Sequence, residues 1–201
     1  MISMRTTFAI TLAVVASMPS IASAHTGVGD ASGFFHGIDH PISGVDHILA
    51  MLMMGVFAYR LGGRVLWLVP TTTFVLMTAL GGALGASGFS LPHAELGIAL
   101  SVIVLGGVVA LNLKAPVVIA TGVVGCFAIF HGYAHGAEMP ENAGGFEYTA
   151  GFMIATALLL AVGVAVGFYI EKASERDGRV VMQCAGGIAA LAGFGFFTGV
   201  L

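Results

Sequence analysis

Hydrophobic positions in this chain neither alternate with polar ones, as in a half-buried strand, nor form the narrow stripe of a soluble amphipathic helix. They fill whole stretches separated by short breaks rich in glycine, proline or charge. A bilayer core of about 30 Å takes roughly 20 apolar residues per helix. Six stretches reach or approach that length, at 43–61, 64–86, 95–111, 115–135, 147–170 and 180–201. The breaks are Gly62-Gly63, Ser87-Gly88, Asn112 to Lys114, Met139 to Gly145, and Glu171 to Arg179. The pattern predicts an all-α integral membrane protein with six transmembrane helices.

The residues before these stretches have the layout of an export signal. Arg5 supplies a positive start, Phe8 to Ala16 an apolar run, and Ala22-Ser23-Ala24 a small-residue cleavage pattern. Residues 1–24 are therefore read as a signal peptide and 25–201 as the six-helix transmembrane domain. An uncleaved first membrane helix is the alternative, although the run is short for spanning. Either way residue 25 emerges on the outer side. A signal followed by several spans implies the inner membrane of a bacterium, with both mature termini on the periplasmic side.

Composition agrees with the pattern. Of 201 residues, 58% are hydrophobic and 8% charged, and the mean hydropathy is +1.00. Soluble domains carry about 25% charged residues. Thirty glycines suit helices whose backbones approach closely in lipid. Seven basic residues cannot form a nucleic-acid footprint. Cys126 and Cys184 each sit inside an apolar run and are expected to be packing residues.

Cytoplasmic loops concentrate Lys and Arg. With residue 25 outside, the inner loops hold Arg60, Arg64, Lys114, Lys172, Arg176 and Arg179, which is every basic residue after Arg5. The histidines fall at the opposite end. His25, His36 and His40 precede the first predicted helix, His47 lies in its first turns, His93 is in an outer loop, and His131 and His135 close the fourth helix. Asp30, Asp39, Asp46, Glu95, Glu138, Glu141 and Glu147 lie at that end too. One membrane face carries imidazole and carboxylate, the other ordinary basic anchors.

Two short segments concentrate this chemistry. In FHGYAHGAE, His131, His135 and Glu138 recur at helical spacing, and an i, i+4 histidine pair can grip one metal ion from a single helix. Gly132 and Gly136 form a G-x-x-x-G edge beside the histidines, where another helix can pack tightly. The second segment, FFHGIDHPISGVDH, holds His36, Asp39, His40, Asp46 and His47. Pro41 suits a first helical turn and disfavours a helical residue before it, so 34–40 is expected to be a bent approach and 41 onward the helix. Asp46 and His47 then lie inside the apolar zone, where they face the protein interior. Glu95 opens the third helix and is expected to point inward as well. His25, as the mature N-terminus, offers an amine and an imidazole to one ion.

Imidazole with carboxylate suits nickel, cobalt, zinc or copper(II) and not calcium or magnesium. His47, Met51 and Met54 share a helical stripe that offers either a softer inward path or simple packing. A proton relay of His and Asp is the competing reading. The outer-face ligands could also activate water in a membrane-embedded zinc hydrolase, but the chain offers no separate nucleophile or base. Haem held by two helices fits poorly with clustered histidines. No phosphate-binding G-x-x-x-x-G-K-[ST] occurs and the inner loops are short, so the chain cannot hydrolyse ATP itself. Transport would run on a gradient or on an accessory, energising protein.

The segments HPISGVDH and FHGYAHGAE, with ELGIALS in the third helix, resemble those of the HupE/UreJ family of nickel and cobalt permeases. His40, Asp46 and His47 match a family pattern of His, five residues, then Asp-His. His131, His135 and Glu138 match FHGxxHGxE. The likeness, with the cleaved signal and six helices, spans the chain. It implies a transporter and not an enzyme, with no tightly bound cofactor. Its cargo would be Ni²⁺ or Co²⁺, and its downstream beneficiaries nickel enzymes such as hydrogenase or urease.

Overall fold

The structure is a computed structural model that describes residues 33–62, 64–139, 144–173 and 175–201. Every regular element among them is an α-helix: α1 (Gly33–Ser43), α2 (Val45–Arg60), α3 (Arg64–Ala86), α4 (Ala94–Ala110), α5 (Val117–Ala137), α6 (Gly145–Ala173) and α7 (Glu175–Thr198). The predicted stretches coincide with α2 to α7 within a few residues. The proposed signal peptide and His25 lie outside the described residues.

The bent approach expected at 34–40 is instead a helix. Residues Gly33–Ser43 are helical with Pro41 inside, and the break falls at Gly44, whose backbone is extended (φ −90°, ψ 117°). The two helices meet at 79°. An interior proline costs a helix about 3 kcal/mol, and tertiary docking offsets it. Gly37 of α1 lies against the backbone carbonyl of Tyr148, and Gly151 of α6 against that of Phe34. The local preference that would end a helix before Pro41 is outweighed by this helix-on-helix contact.

Four helices are long and apolar enough to cross a bilayer: Val69–Ala86, Val117–Ala137, Gly145–Lys172 and Asp177–Thr198. The bent pair α1–α2 passes the same test jointly, and α4 is a shorter apolar helix. Only 22% to 39% of each long span is buried within the protein. What faces outward is nonetheless greasy, including Leu76, Val118, Ile119, Leu158, Leu191 and Phe194. A surface of this kind is matched by hydrocarbon and not by water. The chain is a multi-pass membrane protein. Cys126 and Cys184, expected to be packed inside, are both exposed on this outer surface. A small, weakly polar thiol is tolerated there as an apolar group.

Lipid tails are as apolar as leucine, so helices in a membrane associate by close packing and not by hydrophobic exclusion. Glycine supplies that closeness here. A Cβ on Gly132 would strike the carbonyl of Thr78, and one on Gly136 the carbonyl of Gly82, both in α3. From the other side, Gly81 and Gly85 abut the carbonyls of Ile129 and Tyr133 in α5. These paired registers rise together, so α3 and α5 are parallel, as two helices separated by one intervening span should be. Gly106 and Gly186 join α4 to α7, and Gly193 lies against Ile103 of α4, in the falling register of an antiparallel pair. Gly55 and Gly163 join α2 to α6.

The two ends of the bundle differ. At one, Arg60 Nη1 donates to the Val109 carbonyl at 3.1 Å and Gln183 Nε2 to the Ala110 carbonyl at 3.0 Å, bringing side-chain donors to the carbonyls that end α4. Tyr59 donates to Glu171 nearby. The histidines occupy the other end.

Glycine substitutions should separate accordingly. Gly132→Val and Gly136→Val are expected to cost more than about 3 kcal/mol, because the obstructing atoms are backbone. Gly107→Ala and Gly187→Ala meet nothing within 4 Å and should be neutral or slightly stabilising. Thermal unfolding followed by fluorescence-detected size exclusion would show a lost monodisperse peak for the first pair only. Equal behaviour of the two pairs would contradict this packing.

Candidate metal site

Helix α5 presents two faces to its surroundings. Gly132 and Gly136 press on α3, and His131 and His135, one position back in each case, are turned about 100° away. That turn carries both imidazoles into the bundle, where they are 0% and 1% exposed. Glu138 caps the C-terminus of the same helix, its N–H donating to the Ala134 carbonyl.

The helix break supplies the facing groups. Because the chain turns at Gly44, His40 stands at the end of α1 while Asp46 and His47 stand in the first turn of α2. A Cβ on Gly44 would lie 2.8 Å from Asp46 Oδ1 and 2.9 Å from His47 Nδ1, so glycine leaves room for that pair. Broken helices that expose backbone beside polar side chains are the usual way membrane proteins build ion sites.

The side chains form a row from the surface inward. Glu138 Oε2 lies 3.2 Å from His40 Nε2, and the two side chains are 43% and 16% exposed. The His40 ring is 4.6 Å from that of His135, His135 is 4.5 Å from His47, and His47 is 5.2 Å from His131. Asp46 Oδ1 meets His47 Nδ1 at 2.9 Å. At the inner end Ser101 Oγ of α4 lies 2.9 Å from His131 Nε2. Apolar rings close the flanks: Phe152 packs 4.1 Å from His135 and Phe74 5.9 Å from His131, centre to centre.

This spacing has a chemical meaning. An ion about 2.1 Å from an imidazole nitrogen stands about 3.2 Å from the ring centre, so two rings sharing it are roughly 4.5 to 5.3 Å apart for ordinary ligand angles. The pairs His40–His135, His47–His135 and His47–His131 all fall in that range. His47 Nε2, His131 Nδ1 and both nitrogens of His135 are buried with no protein hydrogen-bond partner. Buried polar atoms are normally satisfied, so this concentration of unpaired nitrogens marks a place for something else to bind. Among the described residues no group of three or more His, Cys, Asp or Glu side chains converges into a ready cage. The structure offers successive pairs instead.

Glu95, expected to face inward, is exposed in the first turn of α4. Its carboxylate is nevertheless within electrostatic range of Glu138, His47, Asp46 and His40, which places it at the mouth of the row. His36 is half-buried one turn before His40, with its ring 6.4 Å from Tyr148. It stands beside the row and joins none of the close pairs. His93 is an exposed residue before α4 in left-handed backbone (φ 62°). Met51 and Met54 are fully buried in the hydrophobic core. Sequence reading missed Ser101 and Tyr148. Ser101 could have been noticed as the one hydroxyl within the apolar run of α4; Tyr148 carried no such mark. Its hydroxyl is buried without a partner, and its ring lies 6.1 Å from that of His40.

Comparison with known proteins agrees with the motifs. Residues 12–196 match the family described as HupE / UreJ protein. The chain is 44% identical over 189 residues to Protein HupE of Rhizobium leguminosarum bv. viciae, covering 94% of this chain and 96% of that protein. No solved structure matches it significantly. The chain, with its row of imidazoles at the helix break and on α5, belongs to the HupE/UreJ family.

Proposed function

We propose that this protein is a permease for divalent first-row transition-metal ions, Ni²⁺ or Co²⁺, captured at the periplasmic face and carried inward through the bacterial inner membrane. The observation that carries this reading is the row of four imidazoles, running from partly exposed His40 to fully buried His131, in which His47 Nε2, His131 Nδ1 and both nitrogens of His135 have no protein partner. The metal is cargo and not a resident cofactor. Glu138 and His40, with Glu95 and His36 at the mouth, draw the hydrated ion from outside. Water is then exchanged for imidazole nitrogen at the His40–His135 pair, and the ion passes to His47 and His131. His25, if it is the mature terminus, adds an amine and an imidazole at the mouth. Two-ligand stations hold an ion loosely, and conduction requires binding weak enough to release.

Inward of His47, Ser101 and His131 the bundle is filled by Met51, Met54, Val102, Leu105, Val124 and Ala128. Release to the cytoplasm therefore requires helices to part, as in alternating access. The energy comes from an ion gradient or an accessory protein. The nickel enzymes that consume the ion, such as hydrogenase or urease, lie downstream. The architecture proposed is six crossings after a cleaved signal. The bent pair counts as one crossing, and α4, at about 26 Å for 17 residues, as another.

The decisive test is uptake into proteoliposomes offered Ni²⁺, Co²⁺, Zn²⁺ and Mn²⁺ in turn. Nickel or cobalt should accumulate, and His131→Ala or His47→Ala should lower the initial rate at least about tenfold. Glu147→Gln, at an exposed carboxylate, should leave it unchanged. Metal bound without accumulation would refute transport.

Topology is tested separately. In a Cys126→Ser, Cys184→Ser background, His93→Cys should react with a membrane-impermeant maleimide in intact spheroplasts, and Lys114→Cys only after lysis. Labelling of both without lysis would exclude six crossings.

A further inference from the structure

Counting protons at the inner end of the row assigns roles that residue types alone do not. Ser101 has one hydroxyl proton and two close neighbours: the Ile98 carbonyl oxygen at 2.6 Å and His131 Nε2 at 2.9 Å. Two oxygens 2.6 Å apart repel unless a proton lies between them, and a carbonyl cannot supply it. The serine proton is therefore committed to Ile98. Toward His131, Ser101 Oγ can only accept, so Nε2 must carry the ring hydrogen. In a neutral imidazole the other nitrogen, Nδ1, then bears the lone pair, and Nδ1 is the buried atom with no partner.

The same count holds at the other ring. Asp46 Oδ1, as a carboxylate, only accepts, so at 2.9 Å it takes the hydrogen of His47 Nδ1. His47 Nε2 is left with its lone pair, again buried and unpartnered. Gly44 keeps the Asp46–His47 contact open, since a side chain there would intrude on both atoms.

We propose that Asp46 and Ser101 are positioning residues and not metal ligands: they set opposite tautomers in His47 and His131, so that His47 Nε2 and His131 Nδ1 are the two nitrogens presented to a divalent transition-metal ion. This rests on the histidine-capture reading above and adds to it which atoms ligate. It also explains why a serine, a poor ligand for such ions, is fully buried against a histidine within the apolar run of α4. Outer-sphere groups that fix ring tautomer and orientation commonly change metal affinity by about 10- to 100-fold.

The experiment uses the full chain in detergent, labelled with ¹⁵N-histidine, first without metal and then titrated with Ni²⁺. Long-range ¹H–¹⁵N spectra should give His131 a protonated Nε2 and bare Nδ1, and His47 the reverse. Ser101→Ala, smaller by one buried oxygen, should keep its thermal transition yet mix the His131 tautomers and weaken Ni²⁺ binding about 10- to 100-fold. Asp46→Asn keeps an acceptor oxygen for His47 Nδ1 and should bind within about fivefold of the parent, while Asp46→Ala falls by about 10- to 100-fold. If Asn and Ala at 46 are equally damaging, Asp46 is a ligand and the inference fails there. If Ser101→Ala leaves spectrum and affinity unchanged while His131→Ala abolishes binding, only the positioning role is overturned. If His47→Ala and His131→Ala both bind Ni²⁺ like the parent, histidine capture itself is wrong.

Discussion

Contact between the backbones of α3 and α5 is the constraint on which this structure depends. Gly132 and Gly136 bring α5 against the carbonyls of Thr78 and Gly82 with no side chain between. In a bilayer such packing replaces the hydrophobic force that drives helices together in water. It also fixes the rotation of α5. Once the glycine edge is pressed on α3, His131 and His135 have one direction left, toward the helix break at Gly44. The placement of the imidazoles and the packing of the helices are thus two consequences of one nine-residue segment.

The break between α1 and α2 is the second structural decision. A single straight helix through residues 33–60 could not bring both His40 and His47 to His135. Bent by 79° at Gly44, the chain brings both rings within 4.6 Å of it. Asp46 falls in the first turn of α2, where the helix dipole favours a carboxylate. That charge in turn moderates the dipole's repulsion of a cation. Docking of α1 through Gly37 and Gly151 keeps Pro41 helical and holds the bend in place.

The site is asymmetric in depth. Its outer members, Glu138 and His40, keep part of their surface in solvent, while His131 has none. On the proposed reading, an ion moving along the row would exchange water for nitrogen in steps, since each close ring pair offers two imidazoles and no complete cage. This suits transfer better than storage. Apolar side chains fill the bundle inward of His131, and on the proposed permease reading they form the closed inner half that alternating access requires.

Residue pattern alone determined the helices and the clustering of His, Asp and Glu at one end. Each depends on a local quantity: apolar run length, or spacing along one helix. The G-x-x-x-G edge was legible for the same reason. What tertiary structure decided was everything that depends on which helices meet. Pro41 argued locally against a helix through 34–40, and docking on α6 reversed it. Glu95 looked costly enough to face inward, but its place in the first turn of α4 leaves it exposed at the mouth. Ser101 was one hydroxyl in an apolar run until α4 placed it against His131. A hydrogen bond between residues thirty positions apart has no period in the sequence, because it is set by the rotation of two helices about their contact.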